Sequence, residues 1–269
     1  MSYNLLKGKK GIIFGALDEK SIAWITALRC FEEGAQIVLT NAPVALRMGE
    51  INKLAETTNS IVIPCDVTSS ADVENLISKS IEHFGGQFDF ILHSIGMSLN
   101  VRKGKSYTEI DYGFNAKTLD ISAVSLHRVL ATAMKVDALK EWGSVVALTY
   151  IAAQRVFPDY NEMADAKALL ESIARSFGYH YGIKNKVRVN TVSQSPTRTT
   201  AGSGVKGFDG FIDYAEKMSP LGNASAEDCA NYIVTLFSDL TKMVTLQNLF
   251  HDGGFSSMGV TQGVIEKMG

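Results

Sequence analysis

Residues 11–21 read Gly11-Ile12-Ile13-Phe14-Gly15-Ala16-Leu17-Asp18-Glu19-Lys20-Ser21, an apolar run followed by a turn and the start of a helix candidate. The run predicts a buried strand, and Ser21 is a typical N-terminal cap. In α/β folds the turn after the first strand approaches a dinucleotide pyrophosphate, because the next helix offers free N–H donors. Gly15 alone, without a Gly-x-Gly-x-x-Gly pattern, leaves a cofactor site and an ordinary tight turn equally open.

The rest of the chain alternates short apolar runs with longer segments of helical period, which is typical of α/β proteins. The predicted strands are Gly11–Phe14, Gln36–Thr40, Ser60–Pro64, Phe88–His93, Ser144–Leu148, Val187–Val192 and Gln247–His251. The predicted helices are Ser21–Glu33, Val44–Thr57, Ala71–Phe84, Tyr112–Ala138, Asn161–Tyr181 and Ala226–Phe237. Strands that are apolar almost throughout indicate a sheet covered on both faces. We therefore predict an α/β fold: a Rossmann-like, doubly wound parallel sheet of about seven strands, forming a single domain over residues 1–269.

Composition excludes several classes of function. Hydrophobic residues make up 46% of the 269 residues and the formal net charge is −2, so nothing indicates disorder or a nucleic-acid partner. The three cysteines are widely separated and the five histidines lack chelating spacing, so we predict no metal site. No apolar run reaches the roughly 18 residues of a membrane span, and the first ten residues lack a long apolar stretch. We expect a cytoplasmic protein with no membrane partner.

Polar or small residues follow several predicted strands. Asp66 and Val67 end the third strand, where the Asp66 carboxylate could accept from an adenine amino group or cap the next helix. Ser94-Ile95-Gly96 follows the fourth, where a glycine permits close approach to a ribose or simply makes a turn. The carboxyl ends of parallel strands lie along one edge of the sheet. Polar or small residues after several strands therefore favour a long cofactor lying across that edge.

The segment 193–210 follows the sixth strand and is rich in Gly, Ser and Thr, so it predicts a mobile loop. Its glycines make ordering costly, and Thr197 and Thr199 can hydrogen-bond a cofactor's amide and phosphates. We predict a flexible lid that orders over bound cofactor and substrate. The alternative is a hydrophilic connection that never closes.

Tyr150, Tyr160 and Lys167 form the candidate catalytic set. Tyr150 follows the apolar run Val145–Leu148 and so stands at the carboxyl end of a strand. Tyr160 and Lys167 are seven residues apart, which places them on one face if both lie on one helix. In most proteins a tyrosine ring packs in the core and a helix lysine is solvated. Whether this pair indicates an active site therefore depends on the surrounding residues.

With these motifs the chain resembles the short-chain dehydrogenase/reductases, and within them the enoyl-[acyl-carrier-protein] reductases of bacterial fatty-acid synthesis. The resemblance spans nearly the full length and rests on these segments: Gly15 with Ser21-Ile22-Ala23, Cys65-Asp66-Val67, His93-Ser94-Ile95-Gly96, Tyr150 with Tyr160 and Lys167, Arg188-Val189-Asn190, Ser195-Pro196-Thr197-Arg198-Thr199 and Asp252-Gly253-Gly254-Phe255-Ser256. Ordinary members of the superfamily have a tyrosine four residues before the lysine, where this chain has Met163. The enoyl reductases use the tyrosine seven before it, which is Tyr160.

The resemblance implies an NADH-dependent reduction of the trans-2 double bond of enoyl thioesters carried on acyl-carrier protein. Tyr160 would hydrogen-bond the thioester oxygen as enolate charge develops there. Lys167 would hold the nicotinamide ribose and make the Tyr160 hydroxyl a better donor. Tyr150 would shape the acyl pocket or orient the thioester, and Ser98 would join the two tyrosines in binding substrate.

The implied NADH (NAD+) site consists of Gly15, Ser21, Ile22, Asp66, Val67, Ser94, Ile95, Gly96, Lys167, Thr197 and Thr199. The same resemblance implies a homotetramer, and the long segment around Ile121 to Ala138 could pair across a two-fold axis. Two alternatives remain at this stage: a reductase of another enone or carbonyl substrate, and a non-catalytic dinucleotide-binding protein. The three catalytic candidates argue against the second, since a pure binder needs no activated phenol.

Overall fold

The computed structural model describes residues 2–47, 50–199 and 208–268. Its strands are β1 (Lys10–Phe14), β2 (Gln36–Thr40), β3 (Ile61–Val62), β4 (Phe88–His93), β5 (Leu139–Thr149), β6 (Arg188–Gln194) and β7 (Asn248–His251). They form one sheet in the order β3-β2-β1-β4-β5-β6-β7, and every neighbouring pair is parallel. The predicted α/β fold with a seven-stranded parallel sheet is confirmed.

The α-helices that connect and flank the strands are α1 (Ile22–Glu32), α2 (Pro43–Leu46), α3 (Ile51–Thr57), α4 (Ser70–Phe84), α5 (Leu99–Arg102), α6 (Tyr112–Leu119), α7 (Ser125–Lys135), α8 (Glu162–Asn185), α9 (Phe208–Met218), α10 (Ala226–Phe237) and α11 (Gln262–Met268). A π-helical stretch, Asp120–Val124, joins α6 to α7. Within the described ranges no helix combines the length and the apolar character that crossing a membrane requires.

Two buried clusters cover the two faces of the sheet. On one face Ile91 of β4 packs with Leu76 of α4 and Leu170 of α8. On the other face Leu92, the next residue of β4, packs in a cluster with Trp24 of α1 and Ile233 of α10. Successive side chains of a strand point to opposite faces, so β4 serves both clusters. The sheet is therefore doubly wound, and the carboxyl ends of its strands meet along one edge.

Several predicted elements differ in extent from the structure, and two helices show how. The predicted helix 44–57 is described as α2 and α3, and residues 48–49 between them lie outside the described residues. The helix that was expected to end before Gly182 continues to Asn185, because its left-handed cap is Lys186, with φ 60°. Gly182 is therefore an internal residue of α8. Its low helix propensity costs about 1 kcal/mol relative to alanine, which packing outweighs.

The predicted loop 193–210 is not irregular at its ends. Ser193 and Gln194 are the last residues of β6, where they pair with β7. Residues 208–210 form the first turn of α9, an amphipathic helix that the sequence reading did not predict. Residues 195–199 have no regular structure, and residues 200–207 of the predicted lid lie outside the described residues.

Candidate active site

Gly15 fits the turn between β1 and α1 because only glycine can occupy it. Its φ is 90°, and a Cβ atom there would lie 2.0 Å from the carbonyl oxygen of Ser94. Ser21 caps α1 as predicted: its Oγ accepts from the Trp24 N–H at 3.3 Å, and Ile22 is the first helical residue. The backbone of the first turn therefore lies against the loop after β4 at the carboxyl edge of the sheet.

The residues after β3 are present at the same edge, with one difference from expectation. Asp66 is exposed, and its Oδ1 accepts from the backbone N–H and the hydroxyl of Thr68, at 2.9 and 2.7 Å. It forms a local turn rather than the helix cap that was the alternative, since Ser69 caps α4. Val67 is buried, and its carbonyl accepts from Arg128 at 2.5 Å.

The loop Ser94-Ile95-Gly96 after β4 runs beside Lys167. A Cβ atom added to Gly96 would lie 3.7 Å from Lys167 Nζ, so the loop backbone and the ammonium are neighbours. Ile95 packs partly buried against the core. These contacts connect the predicted ribose loop directly to the predicted catalytic lysine.

Lys167 lies on α8 with 7% of its surface exposed, and its Nζ donates to the carbonyl of Leu148 at 2.8 Å. Burial lowers the pKa of Lys167 to about 8, against the opposing pull of the Glu171 carboxylate. Desolvation disfavours a buried ammonium, whereas a nearby anion favours it. The lysine is therefore a cation at neutral pH that loses its proton in mild alkali.

His93, the last residue of β4, lies beneath this lysine. It is fully buried, and its Nε2 forms a 2.8 Å hydrogen bond with the hydroxyl of Ser125. Burial, with a further contribution from Lys167, lowers the pKa of His93 to about 3. The imidazole is therefore neutral and adds no second cation to the site.

Tyr150 and Tyr160 face each other with ring centroids 5.2 Å apart and planes inclined by 49°. Only 8% of Tyr150 is exposed, and its hydroxyl has no hydrogen-bond partner within the described residues. Burial raises the pKa of both phenols above the ordinary value. Both tyrosines are therefore neutral donors at physiological pH.

The condition under which Tyr160 and Lys167 would share one helix face is not met, because Tyr160 lies outside the helix. This tyrosine ends a short 3-10 turn, Pro158–Tyr160, and α8 begins only at Glu162. Between them Asn161 has φ 46° and ψ −139°, a conformation that no helix contains. The phenol therefore approaches Tyr150 from a loop, while the ammonium approaches from the helix.

Comparison with known proteins decides the family. The family model described as "Enoyl-(Acyl carrier protein) reductase" matches residues 15–256. The chain belongs to this family. It is 34% identical over 258 residues to enoyl-[acyl-carrier-protein] reductase [NADH] 1 of Rhizobium meliloti, covering 95% of this chain and 93% of that protein. It is 32% identical over 254 residues to the FabI enzyme of Bacillus subtilis, covering 93% and 96%.

A solved relative within the enoyl reductase family is more similar still. The crystal structure of the FabI-NADH complex from Alistipes finegoldii is 67% identical in sequence, with a TM-score of 0.95, and the match covers 96% of this chain and 92% of that one. The resemblance inferred from the spacing of Tyr160 and Lys167 is thereby confirmed.

The sequence reading missed an aromatic cluster that encloses the family's tyrosine pair. Phe157 contacts Tyr150 at 5.4 Å between centroids, and Phe211 of α9 contacts Phe157 at 4.7 Å. Beside them lies a cavity of about 470 Å³ that Phe255 and Tyr214 also line. The amphipathic pattern of residues 208–218 was the available signal, but the glycine-rich stretch before it obscured the helix.

Two buried carboxylates on α8 were also missed. Glu162 is fully buried, and its Oε1 accepts from Ser98 at 2.6 Å and from Thr118 at 3.1 Å. Glu171 accepts three hydrogen bonds close to Tyr150. The Ser98 hydroxyl, a predicted substrate contact, is thus committed to Glu162, although Ser98 itself remains beside the loop after β4.

The two threonines predicted to contact the cofactor lie in the irregular stretch after β6. Thr197 donates from its hydroxyl to the carbonyl of Ser195 at 3.0 Å. Ser195 in turn accepts from the backbone N–H of Ala224 at 3.1 Å. The stretch is therefore fastened at its start, next to the end of the sheet.

Proposed function

We propose that this chain is an NADH-dependent enoyl-[acyl-carrier-protein] reductase that reduces the trans-2 double bond of enoyl thioesters in fatty-acid elongation. One observation carries the proposal: at the carboxyl end of β5, Tyr150 is in ring contact with Tyr160, and Lys167 donates to Leu148 and lies beside Gly96. The chain belongs to a family named for this reaction. The relatives from Rhizobium meliloti and Bacillus subtilis bear the same enzyme name with NADH.

The site fits a nicotinamide dinucleotide. The start of α1, directly after the Gly15 turn, is a helix N-terminus of the kind that binds phosphate, and the buried Lys167 ammonium beside Gly96 suits two ribose hydroxyls. The residues that would hold NADH are Gly15, Ser21, Ile22, Asp66, Val67, Ser94, Ile95, Gly96, Lys167, Thr197 and Thr199. Asp66 would accept from the cofactor through Oδ2, because its Oδ1 already accepts two hydrogen bonds from Thr68.

When bound, NADH supplies a hydride to the β-carbon of the enoyl thioester. Tyr160 donates a hydrogen bond to the thioester oxygen, where negative charge collects as the reaction proceeds. A neutral phenol at that oxygen stabilises the transition state more than the ground state. Tyr150 orients the thioester with its unpartnered hydroxyl, and Lys167 fixes the ribose. Ser98 would reach the substrate only if its hydroxyl left Glu162.

A direct assay tests the reaction class. Purified protein with crotonyl thioester and NADH should consume NADH in proportion to the enoyl substrate. A reductase of another enone or a carbonyl would consume NADH only with its own substrate. A non-catalytic dinucleotide-binding protein would bind NADH without consuming it under any of these conditions.

The same proposal includes a preference for NADH over NADPH. Between Asn41 and Leu46, after β2, the sequence offers no Lys or Arg to receive a 2′-phosphate. The Asn41 amide instead donates to the carbonyl of Ala16 at 2.9 Å, which ties the end of β2 to the Gly15 turn. Arg47 is exposed and is the first available cation. Equal or higher kcat/KM with NADPH would contradict this preference.

We also infer a lid at about residues 193–210 within a single domain spanning residues 1–269. Support comes from α9, whose Phe211 already lies against Phe157 beside the tyrosines. Hydrogen exchange across this segment should slow when cofactor and a substrate analogue saturate the protein. Unchanged exchange would instead identify a static connection.

An assembly and a location are also part of the proposal. We propose a cytoplasmic homotetramer that receives its substrate on acyl-carrier protein and uses helices α7 and α8 as an interface. Exposed apolar side chains at Val136, Tyr179 and Ile183, with 48%, 59% and 65% exposure, support contact between subunits there. Light scattering at micromolar concentration should give four times the chain mass, and a monomer mass would contradict the proposal.

A further inference from the structure

Glu171 is a buried carboxylate one helical turn beyond Lys167 on α8, with 4% of its surface exposed. Its Oε1 accepts from the hydroxyl of Thr149 at 2.9 Å and from the amide of Asn248 at 3.2 Å. Its Oε2 accepts from the amide of Gln154 at 3.2 Å. One side chain therefore joins α8 to the end of β5, to the turn after Tyr150 and to β7.

All three of these donors are neutral, so hydrogen bonding orients the carboxylate without neutralising it. Lys167 is the cation whose charge the Glu171 carboxylate stabilises across one turn of α8. Residues four apart on a helix are surface neighbours, and a low-dielectric interior strengthens their attraction. The charge of Glu171 therefore acts on the ammonium, while its oxygen atoms hold the strand end.

The other groups around Lys167 do not provide this charge. His93 of β4 is neutral and fully buried, and its proximity to the ammonium only disfavours a second positive charge. From β5, Leu148 offers a carbonyl oxygen. On the same helix, the Glu162 carboxylate is directed to Ser98 and Thr118. Asp252, after β7, acts on Tyr150 and is bound by the N–H groups of Gly254 and Ser256.

We propose that Glu171 is a positioning residue of the reductase: its carboxylate is the counter-charge of Lys167 and the anchor of the turn that carries Tyr150. The proposal rests on the proposed function, since it assigns Glu171 to the ribose-holding lysine and to the substrate-orienting tyrosine. Thr149 and Gln154 flank Tyr150 in sequence, so the anchor acts on both sides of that residue.

The test is the pH dependence of kcat/KM for NADH, which reports the ionisations of the free enzyme. In Glu171→Gln, the amide retains an acceptor for Thr149 but lacks the charge, so Lys167 should lose its proton at lower pH. The alkaline limb should move down by about one to two pH units, as expected for a charge pair at this spacing. At pH 6, kcat/KM should return to within a few-fold of the wild type.

Glu162→Gln is the matched control, because it removes the charge of an equally buried carboxylate on the same helix. The alkaline limb of Glu162→Gln should stay within about 0.3 pH units of the wild type, because Glu171 and not Glu162 is the carboxylate that acts on Lys167. Glu171→Asp, which keeps the charge, should restore most of the wild-type limb. Asn248→Ala, which removes one hydrogen bond and no charge, should alter KM or kcat without moving the limb.

A second readout keeps this inference separate from the proposed function. NMR titration of ligand-free protein labelled at the lysine ε-carbon reports the Lys167 ionisation directly, whether or not the protein reduces enoyl thioesters. The Lys167 midpoint should fall in Glu171→Gln and stay in place in Glu162→Gln. An unmoved midpoint in folded Glu171→Gln, or an equal shift in both variants, would overturn the proposal. If Glu171→Gln does not fold, the same titration is run on Glu171→Ala at a temperature at which that variant is folded. An unchanged Lys167 midpoint in Glu171→Ala would also overturn the proposal.

Discussion

The lysine side and the tyrosine side of the site are built in different ways. On the lysine side, Lys167 donates to the Leu148 carbonyl, His93 is bonded to Ser125, and Glu171 accepts three hydrogen bonds. On the tyrosine side, ring contacts dominate, and the hydroxyl of Tyr150 has no partner among the described residues. Each of the three lysine-side groups has at least one hydrogen-bond partner without ligand, although His93 Nδ1 has none, whereas the Tyr150 hydroxyl has no partner at all.

This difference indicates a division of labour between the two sides. A preorganised lysine side offers the same geometry to each incoming cofactor, because its polar groups are already fixed. An unpaired buried hydroxyl costs roughly 1–3 kcal/mol, which a ligand oxygen that accepts from it recovers. On the tyrosine side, substrate binding therefore gains free energy from a hydrogen bond that the Tyr150 hydroxyl does not make in the free protein.

The largest expected effect that tests this contrast is loss of the Tyr160 hydroxyl. Tyr160→Phe should lower kcat by roughly 10²- to 10³-fold with a smaller change in KM, since the bond it removes strengthens only as charge develops. Steady-state kinetics with crotonyl thioester measure it, with Tyr150→Phe as the matched variant. If Tyr160→Phe kept wild-type kcat and Tyr150→Phe abolished it, the roles of the two tyrosines would be reversed.

Removing the ammonium should instead affect binding and turnover together. Lys167→Ala eliminates hydrogen bonds from a charged donor that exist in both ground and transition states, so NADH affinity should fall by about ten- to hundred-fold. Fluorescence titration with NADH measures this loss independently of chemistry. Unaltered NADH affinity in a folded Lys167→Ala protein would show that the lysine side does not serve the cofactor.

The lysine side should also set the alkaline limit of activity. Burial lowers the pKa of Lys167 to about 8, so the cation predominates below that pH and disappears as pH rises through it. We expect kcat/KM for NADH to decline about tenfold per pH unit above pH 8. Burial raises the pKa of both Tyr150 and Tyr160, so the tyrosines add no ionisation in this window. A profile that stays flat to pH 10 would contradict the assignment.

The smallest expected effect concerns stability in the absence of ligand. Because the Tyr150 hydroxyl is buried without a partner, Tyr150→Phe should leave the free energy of unfolding unchanged or raise it by about 1 kcal/mol. Thr149→Val, one residue earlier, breaks the bond to Glu171 and should lower it by about 1–2 kcal/mol. Denaturant unfolding of the ligand-free proteins compares the two. Equal destabilisation would mean that the sides do not differ.

The sequence predicted the sheet well because its signal is local. Near-continuous apolar runs such as Phe88–His93 and Ser144–Leu148 are bounded by turns, and each became a strand at that place. Helix ends carry a local signal too: Gly34 and Gly85 follow the predicted helices Ser21–Glu33 and Ala71–Phe84, and their φ angles are 92° and 68°. The resemblance also gave the correct family, enzyme class and cofactor, because spacing around Lys167 distinguishes enoyl reductases from other members of the superfamily.

The parts that sequence reasoning missed depend on contacts distant along the chain. Glu171 looks like an ordinary helix glutamate until β7 brings Asn248 against it. Phe211 joins the tyrosine pair only because α9 folds back over the residues after β5. The seven-residue spacing of Tyr160 and Lys167 would fit one helix, but the backbone of Asn161 separates Tyr160 from the helix, and the spacing alone does not reveal this. The roles assigned to individual site residues and the lid remain predictions.

The left-handed backbone at Asn161 bears on transplantation of this site into other scaffolds. A designer who copied only the Tyr160-to-Lys167 spacing onto an ideal helix would aim the phenol along the helix and away from Tyr150. The portable unit is a 3-10 turn, one residue at φ 46° and then a helix start. Asn161 anchors this corner by donating from its amide to the carbonyl of Lys105 at 2.5 Å, so a graft must carry that acceptor as well.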